Sequence, residues 1–169
     1  MADLNFAGSY DGLHLPYSPE AEQAVLGAII LESDTFDKVV DTLKSPDYFY
    51  VSLHKLIFAQ MQEMIGLGLN IDFVTLLERL KQNKAFDEST GKTYLMDLVN
   101  NCPSISNAEE YAKIIAEKYN VRRLITASRE IIDDATAGNE DPSVLIDSAE
   151  QKIFDIRQGT EKHGLERIN

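Results

Sequence analysis

The longest uninterrupted pattern in the sequence starts at Asn107 and stops at Gly138-Asn139, and it reads as a single helix capped by Asn107 and broken by Gly138. Within it Tyr111, Ile114, Lys118, Val121, Ile125, Ser128, Ile132 and Ala135 recur at alternating three- and four-residue steps, the seam pattern of a coiled coil. Leu124 and Ile131 stand beside that seam, about 100° away by helix geometry, so the apolar arc on the second half is wide. Asp141-Pro142 opens a final helix with Leu145, Ala149, Ile153 and Ile156 on one stripe and Ile146 and Phe154 off it. Two helices with so short a connection form an antiparallel hairpin, here over residues 107–158. A lone hairpin of this size buries little surface. The arc of Leu124, Ile131, Ile132 and Ala135, with Phe154, needs more cover than one partner helix gives. Either the hairpin folds back on the rest of the chain or it packs on a second chain. The break from Cys102 to Ser106 would let it stand away, which favours the second chain.

Upstream, residues 17–102 carry a series of shorter helical signals that make a compact head. Ser18 caps a helix with Pro19 at its first position and Glu20 and Glu22 where the dipole favours acids. Ala21 to Leu31 is apolar nearly all round, which places that helix in the middle of a core. Gly27 is a poor helix former, so its use is the close approach of another backbone. Ser33 is expected to cap a short helix with Phe36, Val39, Val40 and Leu43 inward, broken by Ser45-Pro46-Asp47. Tyr48-Phe49-Tyr50-Val51 is expected as an aromatic loop, since no strand partner is near. Ser52 opens a helix ended by Gly66 and Gly68, Asp72 caps the next, and Thr90-Gly91 leads into a short one stopped by Asn100-Asn101-Cys102-Pro103. Residues 1–16 read as a flexible lead and 159–169 as the start of a linker. The fold class is all-α: a compact helical head followed by a long antiparallel hairpin.

Motifs for chemistry are sparse. No Walker A or G-x-G-x-x-G pattern occurs; Gly91-Lys92-Thr93 lacks the upstream glycine and fits a helix start better. His14, His54, His163 and the single Cys102 are scattered, which gives no metal-ligand cluster. Glu109-Glu110, Asp133-Asp134 and Glu140-Asp141 suit helix ends and solvent. Lys118, Arg122 and Arg129 share one side of the long helix, but neighbouring Glu117 and Glu130 make a mixed solvated face the better reading. The net charge of -12 argues against a dedicated nucleic-acid binder and suits a partner with a basic surface. The N-terminus has neither the basic nor the apolar region of a signal peptide, and no run is long enough for a bilayer, so the cytoplasm is the expected compartment. The chain itself is expected to have no catalytic, cofactor or metal site.

The run Pro19-Glu20-Ala21-Glu22-Gln23-Ala24-Val25-Leu26-Gly27 resembles the opening helix of bacterial replicative helicases of the DnaB family. The likeness continues in order through Asp47-Tyr48-Phe49-Tyr50, His54 with Ile57-Phe58, Ile71-Asp72, Gly91, Tyr94-Leu95, Tyr111-Ala112, Arg123 and Ile153-Phe154. It covers roughly residues 15 to 158, with a departure at Thr90, where the family often has a glycine. The resemblance implies an N-terminal collar domain ahead of a linker and a RecA-like ATPase. Six such domains pair into a trimer of dimers through their hairpins, which also dock the C-terminal helicase-binding domain of primase. A helicase loader is a further candidate partner. ATP and Mg would belong to the ATPase, as would unwinding. A stand-alone helical adaptor of the replication machinery and an enzyme with an unrecognised site are the alternatives.

Overall fold

The structure is a computed structural model that describes residues 15–165, with side chains as far as residue 159. Its regular elements are all helical among those residues: α1 (Pro19–Leu31), α2 (Thr35–Val39), a 3-10 turn (Pro46–Tyr48), α3 (Ser52–Gly66), α4 (Phe73–Lys81), α5 (Glu88–Asn100), α6 (Ala108–Ala137) and α7 (Pro142–Leu165). Most of the expected lead, residues 1–14, lies outside the described part, as do residues 166–169.

The helix ends follow local chemistry. Ser18 Oγ accepts the Ala21 N–H at 3.2 Å, and Asp72 Oδ1 accepts the Thr75 N–H at 2.9 Å, each satisfying a donor the helix cannot. Gly68 takes φ 73° just beyond α3, and Gly138 takes φ 69° just beyond α6, a left-handed conformation that glycine adopts without a Cβ penalty. Two starts and one end differ from the sequence reading, and one expected cap bond does not form. Asp34, not Ser33, precedes α2, because the Ser33 hydroxyl is engaged elsewhere, accepting the Ile71 N–H at 2.9 Å. Asp87 caps α5 through Ser89, so Thr90-Gly91 lies inside the first turns. Asn107 precedes α6 without a side-chain cap bond. At the other end α7 continues through Gly159 to Leu165, into the stretch read as linker.

The core is organised around α1, whose Val25, Leu26, Ala28 and Ile29 are sealed from solvent. Full burial contributes about 2 kcal/mol for a side chain such as Leu26 or Ile29. The all-round apolar pattern of α1 is thereby explained: it meets α3, α5 and α6 on different sides. Gly27 does admit a close backbone, since a Cβ there would collide with the Leu98 carbonyl of α5. The head does not close by itself. Ala108, Ala112 and Ile115 of α6 belong to the same core cluster, so the first half of the long helix is a wall of the head. Only its second half runs on beside α7.

Candidate interaction surface

Two polar anchors hold the framework that carries the surface. The first sits inside the head. The Glu22 carboxylate is 1% exposed and accepts the backbone N–H groups of Tyr50 and Val51 at 3.1 to 3.3 Å. It also faces His54 Nδ1 at 2.8 Å. A carboxylate can only accept, so Nδ1 is the donor, and in the neutral ring Nε2 accepts from the Tyr94 hydroxyl at 2.5 Å. Gln23 Nε2 donates to the same hydroxyl at 3.2 Å. Each buried group of this network is paired, and the network ties α1, the entry to α3, and α5 together. Its outline is that of an acid–base relay, but burial first, and Glu22 behind it, push the Tyr94 hydroxyl above its ordinary pKa. A reactive phenolate needs the opposite.

The second anchor joins α6 to the head. Arg122 is 8% exposed and donates through Nη1 to the Pro16 carbonyl at 2.9 Å and through Nη2 to the Tyr48 carbonyl at 2.8 Å. Its guanidinium lies 5.4 Å from the Tyr50 ring centre and 5.8 Å from that of Tyr119, within cation–π range. Tyr119 in turn stacks on Tyr48 with centroids 4.2 Å apart. The solvated face assigned to Arg122 in the sequence is thus corrected: the side chain is interior because two orphan carbonyls and two aromatic rings await it there.

Beyond these anchors the apolar residues of α6 divide by side. Ala112, Ile115, Tyr119 and Arg122 face the head, and Tyr111 at the start of the seam packs on it too, whereas Ile114, Val121 and Ile132 of the seam turn away from it. Ile114, Val121, Leu124 and Ile132 are exposed, Ile132 at 40%. They form a strip that neither the head nor α7 covers. On α7, helix geometry sets Ile146 and Ile153 on one shoulder, about 60–80° round from the stripe of Leu145, Ala149 and Ile156. The opposite shoulder is polar: Lys152 Nζ reaches Asp134 at 2.9 Å and Glu130 at 3.6 Å. The hairpin therefore has a salt-bridged side and an apolar side.

The five residues singled out in the sequence take three places. Leu124 and Ile132 lie on the exposed strip. Ile131 and Ala135 line a cleft of about 270 Å³ with Pro142, Leu145, Ile146 and Ala149 near the turn of the hairpin. Phe154, 51% exposed, sits about 160° round α7 from its α6-facing stripe, on the outer surface. Val121, Ile146 and Ile153 complete the apolar side and were not singled out. Among the described residues no group of metal-ligating side chains converges, and no helix is long and apolar enough to cross a membrane. A nucleotide does not fit the glycine–lysine–threonine triplet: Gly91 lies in α5 under the Phe86 ring, with no phosphate loop around it.

The fold and surface thus define a helical domain with a closed polar interior and an uncovered apolar side. The chain belongs to the DnaB-like helicase N terminal domain family, whose pattern matches residues 14–117. The replicative DNA helicase DnaB of Pasteurella multocida is 36% identical over 149 residues, covering 87% of this chain and 32% of that protein. DnaB of Geobacillus stearothermophilus is 36% identical over 143 residues, 85% and 31% respectively. This chain spans about a third of the length of these two relatives. The crystal structure of the N-terminal domain of DnaB helicase from Mycobacterium tuberculosis superimposes with a TM-score of 0.78 at 31% identity, covering 84% of this chain and 99% of that one. A DnaB-like replicative helicase whose structure was described with its interactions with primase superimposes at 0.67 with 23% identity, covering 82% of this chain and 31% of that one. This second likeness concerns the fold alone.

Proposed function

We propose that this chain is the collar domain of a replicative DNA helicase, which assembles with copies of itself and docks primase during DNA replication. The observation that carries the reading is the uncovered apolar strip of Ile114, Val121, Leu124 and Ile132 along α6. A soluble domain that leaves such a strip beside a second apolar shoulder on α7 has an interface there. Family membership supplies the partners: a second copy against the hairpin, three such pairs in a hexamer, and the C-terminal domain of primase. A helicase loader is a further candidate. ATP, Mg and DNA unwinding belong to the two thirds of the relatives that this chain does not span, so the chain alone hydrolyses no ATP and makes at most weak contact with DNA. Its place of action is the cytoplasm.

The test is to size the chain alone and with a primase C-terminal domain, beside an assay for binding of labelled ATP. Self-association, a larger complex with the primase domain and no ATP binding are expected. ATP binding by this chain would return the enzyme reading.

A further inference from the structure

At Leu15 the chain lies in a groove between head and hairpin. Leu15 lines it, the Pro16 carbonyl accepts an N–H from Arg122 Nη1 at 2.9 Å, and the Tyr17 ring stacks on Tyr50 with centroids 4.3 Å apart. Three successive residues are thus fixed, and residues 1–14 are joined to the fold from inside this groove. It measures about 530 Å³, with Tyr50 and Lys55 on the head side and Thr126, Lys152 and Ile156 on the hairpin side. Its charges are mixed. Lys55 and Arg123 are set against Asp47 and Asp155, and Lys152 is engaged by Glu130 and Asp134. A nucleic-acid backbone calls for a basic surplus, which this lining does not have.

A second groove, of about 650 Å³, opens on the head between the start of α3 and the start of α5. Leu53, Leu56, Ala59, Ala85 and Phe86 make most of its lining. Ala59 and Ala85 are exposed, and Leu53 and Leu56 are half-buried. Lys55 lines both grooves, and the neighbours Pro46 and Asp47 line one each, so the two meet there.

From the seating of Leu15 in one groove and the continuity of that groove with an apolar one, we propose that residues 1–14 form a strap that passes Lys55 and seats Phe6 and Tyr10 in the second groove, against Leu53, Leu56 and Phe86. Reach permits it. Tyr10 stands five residues before Leu15 and Phe6 nine, so an extended chain carries them about 17 and 30 Å from it. Tethering selects the occupant. A segment joined by a few residues is present at an effective concentration on the order of millimolar, which a free partner does not match. The strap crosses the junction of head and hairpin and braces one against the other. It concerns the head and its own N-terminal segment, and it holds whether or not the hairpin pairs with a second copy.

The experiment uses the whole chain with Cys102→Ser and Leu4→Cys, carrying a nitroxide spin label on the introduced thiol. NMR reads the loss of amide intensity near the label, in isotope-labelled chain diluted with excess plain chain. The amides of Leu53, Leu56, Ala85 and Gly91 are expected to lose most of their intensity, and adding Phe6→Ser with Tyr10→Ser should restore it. Removal of residues 1–14 should speed hydrogen exchange at least about threefold at Leu56 and Gly91, and at Thr126 in the junction, because each loses cover against local opening. Circular dichroism checks that the helices are intact. Full intensity at the groove amides, a loss on Leu124 and Ile132 instead, a loss that survives the two serine substitutions, or exchange unchanged by the deletion would overturn the proposal. So would loss of intensity in an isotope-labelled chain without the nitroxide when it is mixed with spin-labelled chain, which would give the groove to the segment of a second copy.

Discussion

The two halves of α6 are built from similar residues and do different things. From Ala108 to Arg122 the helix turns small and medium side chains inward, with Ala112 and Ile115 closed against the head and Arg122 bonded to two of its carbonyls. From Arg123 to Ala137 only Ala127 is buried, while Leu124 and Ile132 stay exposed and Ile131 half-exposed. The first half shows what a helix does when its partners are in the same chain: the inner face is alanine-rich, so the backbones approach, and Arg122 is held by two carbonyls and two aromatic rings. The second half keeps large aliphatic groups in water, as Ile114 and Val121 do on the outer side of the first half, and a monomer gains nothing from them. Apolar content alone therefore does not separate folding from assembly; the side of the helix on which it falls does.

The sharpest way to break this contrast is to disturb the head first. Glu22→Ala strands His54 and two backbone N–H groups in the interior, and removal of one partner from such a buried set should cost about 4 kcal/mol in denaturant unfolding. A cost under about 1 kcal/mol would mean that the network is not what holds α1, α3 and α5. The direct comparison comes next. Ile115→Ala, in the closed half of α6, should cost about 3 kcal/mol, whereas Ile132→Ala should change the unfolding of the monomer by less than about 0.5 kcal/mol. Equal costs would erase the difference between the halves. Arg122→Lys keeps a charge but loses the fork that spans Pro16 and Tyr48, and should cost about 2 kcal/mol with faster hydrogen exchange at the root of α6. Exchange unchanged there would show that the aromatic stack suffices.

The smallest effect concerns the polar side of the hairpin. The bond to Asp134 first, then the charges of Asp134 and Glu130, raise the Lys152 pKa. A raised lysine stabilises the fold fully below its ordinary pKa, and that contribution is lost as pH rises through the raised value. The pair is exposed, so Lys152→Met should lower the melting temperature barely if at all, with any difference from the parent chain vanishing at alkaline pH. A large drop at neutral pH would mean that the pair holds the hairpin closed.

Periodicity and capping made much of the architecture legible: Ser18, Asp72 and Gly138 mark real helix ends, and the apolar circumference of α1 announced a central helix. What stayed hidden depends on contacts between distant residues. Glu22 looked like an ordinary first-turn acid, yet its partners are 28 to 32 residues away. Its position on a helix otherwise apolar all round was the available signal, as was the inward spacing of His54 with Ile57, Phe58 and Met61. Arg122 reaches a carbonyl 106 residues upstream, which no local pattern encodes. The hairpin seam was visible as a period, but a period does not say on which side the head lies. Once α6 is seen packed through Ala112 and Ile115, the seam from Ile114 to Ile132 falls on the open side, and Phe154 turns out to face outward, away from α6.

The central claim is that the open side of α6 is covered by a second copy of the chain. Sedimentation equilibrium over a wide concentration range, for the parent chain and for Leu124→Asp and Ile132→Asp, tests it most directly. The account predicts that the parent chain self-associates and that each variant shifts to monomer with its helical content and unfolding unchanged. A parent chain that remains strictly monomeric, or variants that associate as before, would contradict it.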